Sequence, residues 1–168
     1  MLLTDPTLPS IAILGGTGKE GKGLAFRWAR AGYKVLIGSR TPPKAVEAVE
    51  ELSNLLGKQA SLTGLSNPEV AQQADIIVLT VPYTAHRATL ESIKDAVQGK
   101  LLIDVTVPLA PPTVSKVQMP KAGSAAQETR EILGEGVQVC AAFQNISYEH
   151  LLGDGDVTCD VLVTGTSP

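Results

Sequence analysis

The chain has 168 residues, of which 43% are hydrophobic and 18% are charged, a composition typical of one folded domain rather than a disordered segment. Its net charge of −3 includes no basic block, which argues against a nucleic-acid partner. No segment approaches the roughly 18 continuous apolar residues of a membrane helix, and residues 1–6 lack a basic signal region, so we expect a cytoplasmic protein without membrane contact.

The two cysteines, Cys140 and Cys159, both lie in apolar stretches. They are too few for a disulfide framework and predict reduced core thiols in a reducing compartment. Neither the cysteines nor the two histidines show the spacing of metal ligands, and no metal site is therefore expected.

Strands and helices alternate along the first 105 residues. Apolar runs and helical periodicity predict, in order, a strand at 10–14, a helix at 19–31, a strand at 33–37, a helix from Thr41 to Leu56, a weak strand at 60–63, a helical turn at 68–73, a strand at 75–81, a helix ending before Gly99 and a strand at 101–105. The second helix should bury Val46, Val49, Leu52 and Leu56. This alternation predicts an α/β fold of the Rossmann type, a doubly wound and mostly parallel sheet with helices on both faces.

The remainder of the chain is less regular, because four prolines between 108 and 120 predict a long loop. The run Ser124-Ala125-Ala126-Gln127 fits a capping box that begins a helix through Leu133. The final strand candidates are 137–143 and 161–163. Since no repeat or linker is evident, residues 1–168 are expected to form a single domain.

A glycine-rich loop connects the first predicted strand to the first helix. It satisfies both G-x-G-x-x-G and G-x-x-G-x-x-G, and its residues are Gly15, Gly16, Thr17, Gly18, Lys19, Glu20 and Gly21. Glycines permit a tight turn and the close approach of a pyrophosphate to the backbone, and the helix N-terminus attracts the anion. The strand before and the helix after the loop favour dinucleotide binding over the alternative, a glycine-rich turn without a ligand.

The end of the second predicted strand indicates which dinucleotide binds. It reads Ile37-Gly38-Ser39-Arg40, where NAD-binding domains carry an acidic residue. Ser39 and Arg40 would donate hydrogen bonds to a 2′-phosphate, and Lys44 adds a cation in the first turn of the next helix, where cations are otherwise disfavoured. NADP(H) is therefore predicted over NAD(H). The alternative is that Arg40 and Lys44 are solvated surface charges.

The nicotinamide should lie at the carboxyl ends of the first strand and of the strand at 75–81, where the strand order reverses. Thr80, Val81, Pro82 and Tyr83 occupy that place. Tyr83 either offers the site an aromatic wall or a hydroxyl, or it is a half-buried packing residue.

No catalytic residue is assigned from the sequence. His86 is expected to have a surface or capping role, His150 to lie at the surface, and Asp104 to be hydrogen-bonded to a neighbouring loop. Hydride transfer between two bound cofactors requires orientation more than proton transfer, and the lack of an acid–base pair is compatible with that chemistry.

Several stretches together point to one family. They are residues 11–18 with 21–25, 38–40 with Lys44, 75–82, 123–127, 141–147 and 160–163. These stretches resemble the NADPH-dependent reductases of the deazaflavin coenzyme F420, also called F420:NADP oxidoreductases, and the resemblance covers nearly the whole chain.

The resemblance implies a reversible hydride transfer between NADP(H) and the deazaflavin in one cleft. It places the dinucleotide at Thr17, Gly18, Lys19, Glu20, Ser39, Arg40 and Lys44, the nicotinamide by Val81, Pro82 and Tyr83, and the acceptor near a turn with Asn145, Ser147 and Tyr148. Family chains continue with helices that close the acceptor pocket and form a dimer contact. Those helices are absent here, and Tyr148 stands where the family has a small residue.

These departures keep more than one function open. We expect an NADP-dependent oxidoreductase that uses coenzyme F420 or a similar small-molecule acceptor. The alternatives are a non-catalytic NADP(H)-binding module and an NADPH-dependent reductase of a flavin or small carbonyl compound. An uncovered final strand should promote self-association, a homodimer being the implied assembly, and deazaflavin turnover should be weak or absent.

Overall fold

The computed structural model of the chain describes residues 7–57, 59–153 and 155–165. The N-terminal segment considered for a signal region, residues 1–6, and the last three residues lie outside these ranges. The elements are β1 (Ile11–Leu14), α1 (Lys19–Arg30), β2 (Val35–Ser39), α2 (Pro42–Leu56), β3 (Leu62–Ser66), α3 (Asn67–Gln73), β4 (Ile76–Leu79), α4 (Tyr83–Ile93), β5 (Leu101–Asp104), α5 (Ala125–Leu133), β6 (Gln138–Ala141), a 3-10 helix (Tyr148–His150) and β7 (Thr164–Gly165).

The seven strands form one sheet in the order β3-β2-β1-β4-β5-β6-β7. Strands β1 to β6 pair in parallel, and β7 is antiparallel to β6. This is the strand order of a Rossmann fold with one added edge strand, so the predicted fold class is confirmed. The order reverses between β1 and β4, which creates a crevice at the carboxyl ends of these strands.

Two hydrophobic cores cover the two faces of the sheet. Successive residues of a strand point to opposite faces. In β1, Ile13 therefore joins the core beneath α1 and α2, whereas Leu14 joins the core beneath α3, α4 and α5. Every residue of β1 and β2 is buried, as expected for the inner strands of a parallel sheet. The loops that follow these two strands are therefore attached to the well-packed centre of the sheet.

Helix α2 buries most of the predicted face, because Leu52 is buried and Val49 and Leu56 pack against the core, but Val46 is not part of the buried face. Val46 is exposed, and the buried positions are Ala45, Ala48 and Leu52. The cause is the close approach of α2 to β3, since a Cβ added to Gly64 would lie 2.6 Å from the carbonyl carbon of Ala45. Only small side chains fit such a contact, so the larger Val46 faces solvent. The prediction that Val46 is buried is therefore wrong.

The two edge strands lie further along the chain than predicted. β3 begins at Leu62 and is half-buried throughout, instead of occupying 60–63. At the other edge, residues 161–163 are exposed and form no strand, and β7 is the pair Thr164–Gly165, which faces Ala141 and Cys140. Edge strands bury little surface, and their hydrophobic pattern is therefore a weak guide to their position.

Three smaller expectations also change. Helices α1 and α4 end at Arg30 and Ile93, before the predicted limits. Ser124 Oγ accepts a hydrogen bond from the Gln127 N–H at 3.1 Å, which is one half of the predicted capping box. Cys159 is exposed in an irregular segment and is not a core thiol, whereas Cys140 on β6 is half-buried.

Candidate functional site

A cavity of about 590 Å³ opens at the carboxyl ends of β1, β2, β4 and β5, in the crevice where the strand order reverses. This volume is within the usual range of cofactor sites. All of the residues predicted to hold the dinucleotide line the cavity except Gly16 and Gly21. The other lining residues are Thr41, Asn67, Ala85, Val105, Thr106, Val107 and Leu109.

Contacts on both sides hold the glycine loop in shape. Gly15 has a φ of +71°, a conformation that favours glycine, and its N–H donates to Asn67 Oδ1 at 3.2 Å. A Cβ added to Gly21 would lie 2.7 Å from both Gly16 Cα and Thr80 Oγ1. Gly16 and Gly21 therefore allow α1 to start in direct contact with the loop and with the end of β4.

The N-terminus of α1 borders the cavity without a side-chain cap. Gly18 is the N-cap residue, with a φ of −74° and a ψ of 165°, and it supplies no side chain to the first-turn N–H groups. A Cβ added to Gly18 would meet Gly15 O at an ordinary 3.6 Å. The uncapped N–H groups and the positive end of the helix dipole can therefore receive an anion.

Positive charge collects at the end of β2. Ser39 is buried, Arg40 and Lys44 are exposed, and all three line the cavity. Ser39 Oγ accepts a hydrogen bond from the Thr41 N–H at 3.1 Å, which leaves the hydroxyl proton available for a ligand. This end of the cavity thus presents two cations and a hydroxyl donor.

Glu20 is the one acidic residue in the cavity lining that the structure describes. Burial raises its pKa from 4.5 to about 7, because a carboxylate loses hydration as it leaves water. Glu20 is therefore partly protonated near neutral pH, and the cavity beside α1 carries less negative charge than the sequence indicates.

The ends of β4 and β5 form the opposite end of the cavity. Thr80 Oγ1 donates to Leu14 O at 3.0 Å, which joins β4 to β1. Tyr83 is half-buried in the first turn of α4, and its hydroxyl donates to Glu128 Oε2 at 3.0 Å. Burial and then the contact with Glu128 raise the pKa of Tyr83, so the phenol stays protonated. Tyr83 both lines the cavity and is half-buried against protein, and its contact with the nicotinamide stays a prediction.

The turn predicted to contact the acceptor lies beside the cavity and outside its lining. Asn145 donates from Nδ2 to Asp160 O at 2.8 Å, and Ser147 precedes the 3-10 helix. Tyr148 provides the link to the cavity, because its hydroxyl accepts a hydrogen bond from Lys19 Nζ at 3.3 Å. The same ammonium lies 4.8 Å from the centroid of the Tyr148 ring.

Arg27 of α1 anchors the segment that follows this turn. Its guanidinium donates to three main-chain carbonyls, those of His150, Leu151 and Gly155, each at 2.7 Å. The side chain of Leu151 is buried in the core beneath α1. Together these contacts keep Tyr148 beside the glycine loop.

His86 is fully buried, and its predicted surface or capping role is wrong. Its Nε2 lies 3.0 Å from both Asp104 Oδ2 and Thr129 Oγ1, and the Thr129 hydroxyl donates to Asp104 Oδ2 at 2.7 Å. These partners lie on β5 and α5, far from His86 in the sequence. The other histidine, His150, is exposed as predicted.

Asp104 is hydrogen-bonded to the loop that follows β5, as predicted, since its Oδ1 accepts from the Thr106 N–H at 2.9 Å. Burial alone would raise the pKa of Asp104, but the hydrogen bonds from His86, Thr129 and Thr106 lower it below its ordinary value. Asp104 is therefore an ionised carboxylate within the protein interior.

The residues at or next to the cavity that were not predicted from the sequence include three with polar side chains that make the hydrogen bonds described above: Asn67, Thr106 and Glu128. The sequence does contain a pattern that could have located Asn67. Ser66 and Glu69 form a capping box, which marks the start of α3 at the carboxyl edge of the sheet. Thr106 and Glu128 carry no comparable local pattern.

Comparison with known proteins decides the family. A family model described as NADP oxidoreductase, coenzyme F420-dependent, matches residues 10–108. The F420-dependent NADP reductase of Methanothermobacter marburgensis is 42% identical over 159 residues, covering 91% of this chain and 71% of the relative. That of Methanocaldococcus jannaschii is 38% identical over 162 residues, covering 92% of this chain and 72% of the relative. This chain belongs to the F420-dependent NADP oxidoreductase family.

Solved structures of other proteins share the fold of this F420-dependent NADP oxidoreductase family member. A candidate F420-dependent NADP reductase from Arthrobacter sp. FB24 gives a TM-score of 0.76 at 23% identity, covering 95% of this chain and 75% of that chain. A variant imine reductase from Myxococcus stipitatus gives a TM-score of 0.63 at 19% identity, covering 96% of this chain and 48% of that chain. Within the described ranges, no helix is long and apolar enough to cross a membrane, and no three His, Cys, Asp or Glu side chains gather as metal ligands.

Proposed function

We propose that this chain is an oxidoreductase that transfers a hydride between NADP(H) and coenzyme F420. Its family and the names of relatives that are 38–42% identical support this function. The observation that carries the choice of NADP(H) is the end of β2. There Ser39, Arg40 and Lys44 line the cavity, and the acidic residue that would repel a 2′-phosphate is missing.

The residues of the cavity fit a dinucleotide along its length. The pyrophosphate would lie at the N-terminus of α1, because Gly18 leaves the backbone open and the first-turn N–H groups have no side-chain cap. The 2′-phosphate would accept charge-assisted hydrogen bonds from Arg40 and Lys44. The nicotinamide would then reach residues 80–83 at the switch point of the sheet.

Bound NADP(H) supplies or receives the hydride in this reaction. The chain's own contribution is orientation and the exclusion of water. Pro82, Tyr83, Val105 and Val107 all line the cavity, at the end proposed for the nicotinamide. Tyr83 is the one titratable side chain at this end of the described lining, and its phenol stays protonated. We therefore assign no proton-transfer step to the chain.

The hydride acceptor is proposed to lie next to the nicotinamide end, near Asn145, Ser147 and Tyr148. The contact between Tyr148 and Lys19 supports this placement, because it holds the turn beside the cavity. Three statements stay predictions: that residues 1–168 form one NADP(H)-binding domain, that the chain is a cytoplasmic homodimer, and that its deazaflavin turnover is weak or absent.

The test mixes the purified chain with NADPH and one acceptor at a time in the absence of oxygen. The acceptors are coenzyme F420, a flavin, a small carbonyl compound or none. We expect NADPH oxidation to match F420 reduction mole for mole and to be lost in Gly18→Val. Faster oxidation with the flavin or carbonyl compound would contradict the deazaflavin assignment, and tight NADPH binding without oxidation by any acceptor would identify a binding module.

A further inference from the structure

Three residues on one face of α1 contact residues 148–151. They are Lys19, Gly23 and Arg27, and their spacing of four residues places them in a line along the helix. Arg27 donates to main-chain carbonyls of these residues, and Gly23 allows their close approach, because a Cβ added there would lie 2.5 Å from Leu151 Cβ. A glycine inside a helix lowers its stability. The position of Gly23 is therefore explained by the packing of this segment on α1.

Lys19, at the start of α1, makes the contact nearest to the cavity. Its Nζ lies 3.3 Å from the Tyr148 hydroxyl oxygen and 4.8 Å from the centroid of the Tyr148 ring, which is within the range of a cation–π interaction. The two contacts restrict a long side chain that is otherwise exposed. An ammonium held in this way has already lost part of the rotamer freedom that binding a ligand would cost.

Tyr148 holds the Lys19 ammonium without neutralising its charge. The attraction of an aromatic ring comes from its quadrupole, and in the part of the chain that the structure describes, Lys19 forms no ion pair with a carboxylate. The helix dipole disfavours a cation in the first turn. Lys19 lines the cavity and directly follows Gly18, the N-cap residue of α1. Its charge is therefore available to an anion that enters the cavity.

We propose that Tyr148 is a positioning residue for the dinucleotide, and that it acts by holding the Lys19 ammonium at the pyrophosphate. This role rests on the proposed function, which places the pyrophosphate at the N-terminus of α1. An aromatic side chain suits the role better than a carboxylate, which would compete with the pyrophosphate for the ammonium. Tyr148, expected from the sequence to serve the acceptor, thus contributes to cofactor affinity.

A double-mutant cycle tests whether Tyr148 acts through Lys19. NADPH is titrated by calorimetry into the unmodified chain, Lys19→Met, Tyr148→Ala and the double variant. Tyr148→Ala should raise Kd about twofold to fivefold, the size of an exposed cation–π contact, and Lys19→Met should raise it roughly tenfold. In the Lys19→Met background, Tyr148→Ala should cause no further change. An equal loss in both backgrounds, or no loss in either, would overturn the proposal.

His150→Ala is the matched control, because His150 is an exposed side chain two positions further along the same segment. It should leave the Kd for NADPH unchanged. Lys19 and Tyr148 are exposed as well, so all of the variants should melt as cooperatively as the unmodified chain. If His150→Ala weakened NADPH as much as Tyr148→Ala does, the loss would come from the segment as a whole, and the role of Tyr148 would be refuted.

NADH provides a second arm of the test, because it carries the same pyrophosphate and lacks the 2′-phosphate. Tyr148→Ala should raise the Kd values for NADPH and NADH by the same factor. A loss confined to NADPH would overturn the proposal, since it would place the ammonium at the 2′-phosphate.

The titrations need no hydride acceptor, and they therefore separate this proposal from the proposed function. If the cycle gives the expected coupling and no acceptor is reduced, the proposed reaction fails and the positioning role stands. If F420 is reduced and the two substitutions act independently on Kd, the positioning role alone fails. If the unmodified chain binds neither NADPH nor NADH, both fail.

Discussion

Asn67 Oδ1 accepts a hydrogen bond from the N–H of Gly15 at 3.2 Å, across 52 positions of the sequence. Asn67 is the first residue of α3 and is almost fully buried. A Cβ added to Gly38 would lie 2.6 Å from the same oxygen, so β2, α3 and the glycine loop meet at this amide. The loop is therefore held in its turn by a side chain before any ligand arrives, and such preorganisation reduces the entropic cost of binding.

Replacing Asn67 by alanine should weaken both dinucleotides alike. The variant loses one hydrogen bond to the loop, worth about 0.5–1.5 kcal/mol, or roughly twofold to tenfold in affinity. Because the bond lies at the loop and not at the 2′-phosphate, the Kd values for NADPH and NADH should rise by the same factor. Titration by calorimetry checks this, and a loss confined to NADPH would show that Asn67 acts elsewhere.

Replacing Arg40 by alanine should instead weaken NADPH selectively. A charged hydrogen-bond partner is worth about 1.5–3 kcal/mol, which corresponds to roughly tenfold to a hundredfold in affinity. NADH, which lacks the 2′-phosphate, should bind almost as before. Arg130→Ala, on the exposed side of α5, is the matched control and should change neither Kd. Equal losses for the two cofactors in Arg40→Ala would remove the basis for choosing NADP(H).

Bulk at Gly18 should abolish binding without unfolding the domain. The φ of −74° and ψ of 165° suit a valine, and a Cβ there meets protein only at 3.6 Å. Gly18→Val should therefore melt as the unmodified chain does, yet lose the stabilisation by NADPH, which is about 2.7 kcal/mol at a hundredfold excess over Kd. Gly153→Val, at another open glycine away from the cavity, should keep that stabilisation. If NADPH still raises the Tm of Gly18→Val, the cofactor is not on this loop.

Glu20 should make NADPH binding depend on pH near neutrality. Its pKa is raised to about 7 in the folded chain, so its negative charge appears as the pH rises through that value. An ionised carboxylate repels the pyrophosphate, and affinity should consequently fall as the pH rises, with a proton taken up on binding. Calorimetry in two buffers of different ionisation enthalpy measures this uptake. We expect Glu20→Gln to reduce this proton uptake. Glu47→Gln, at an exposed position of α2, is the control and should leave the uptake unchanged.

The same raised pKa has a consequence for stability. Between about 4.5 and 7 the folded chain holds a proton on Glu20 that the unfolded chain has released, and stability contributed by this group therefore falls as the pH rises through that window. Glu20→Gln should flatten this slope in a series of thermal melts. A slope that is unchanged in the variant would show that another group causes it.

Much of the fold follows from local patterns. The inner strands are buried on both faces, and their apolar runs are therefore continuous and easy to locate, as in Ile11–Leu14. The glycine loop and the end of β2 also carry their chemistry in adjacent residues. The edge strand β7 has only two residues, both exposed, and its position depends on pairing with β6 rather than on its own composition.

The parts of the site that the sequence does not reveal depend on contacts between distant elements. His86 looks like a surface residue in the run Tyr83 to Arg87, because its partners Asp104 and Thr129 are 18 and 43 positions away. In the same way, the burial of Ala45 instead of Val46 follows from how closely α2 approaches β3. Tertiary packing decides such positions, and helical periodicity alone does not.

Arg27 holds the segment next to the proposed acceptor site through main-chain oxygens, those of His150, Leu151 and Gly155. Every amino acid provides such an oxygen, so the attachment does not depend on which side chains the segment displays. Exposed positions such as His150 and Leu152 are consequently open to exchange while the segment keeps its path over α1. If the acceptor binds at the proposed site, we expect substitutions at such surface positions to change acceptor preference without rebuilding the part of the fold proposed to bind the dinucleotide.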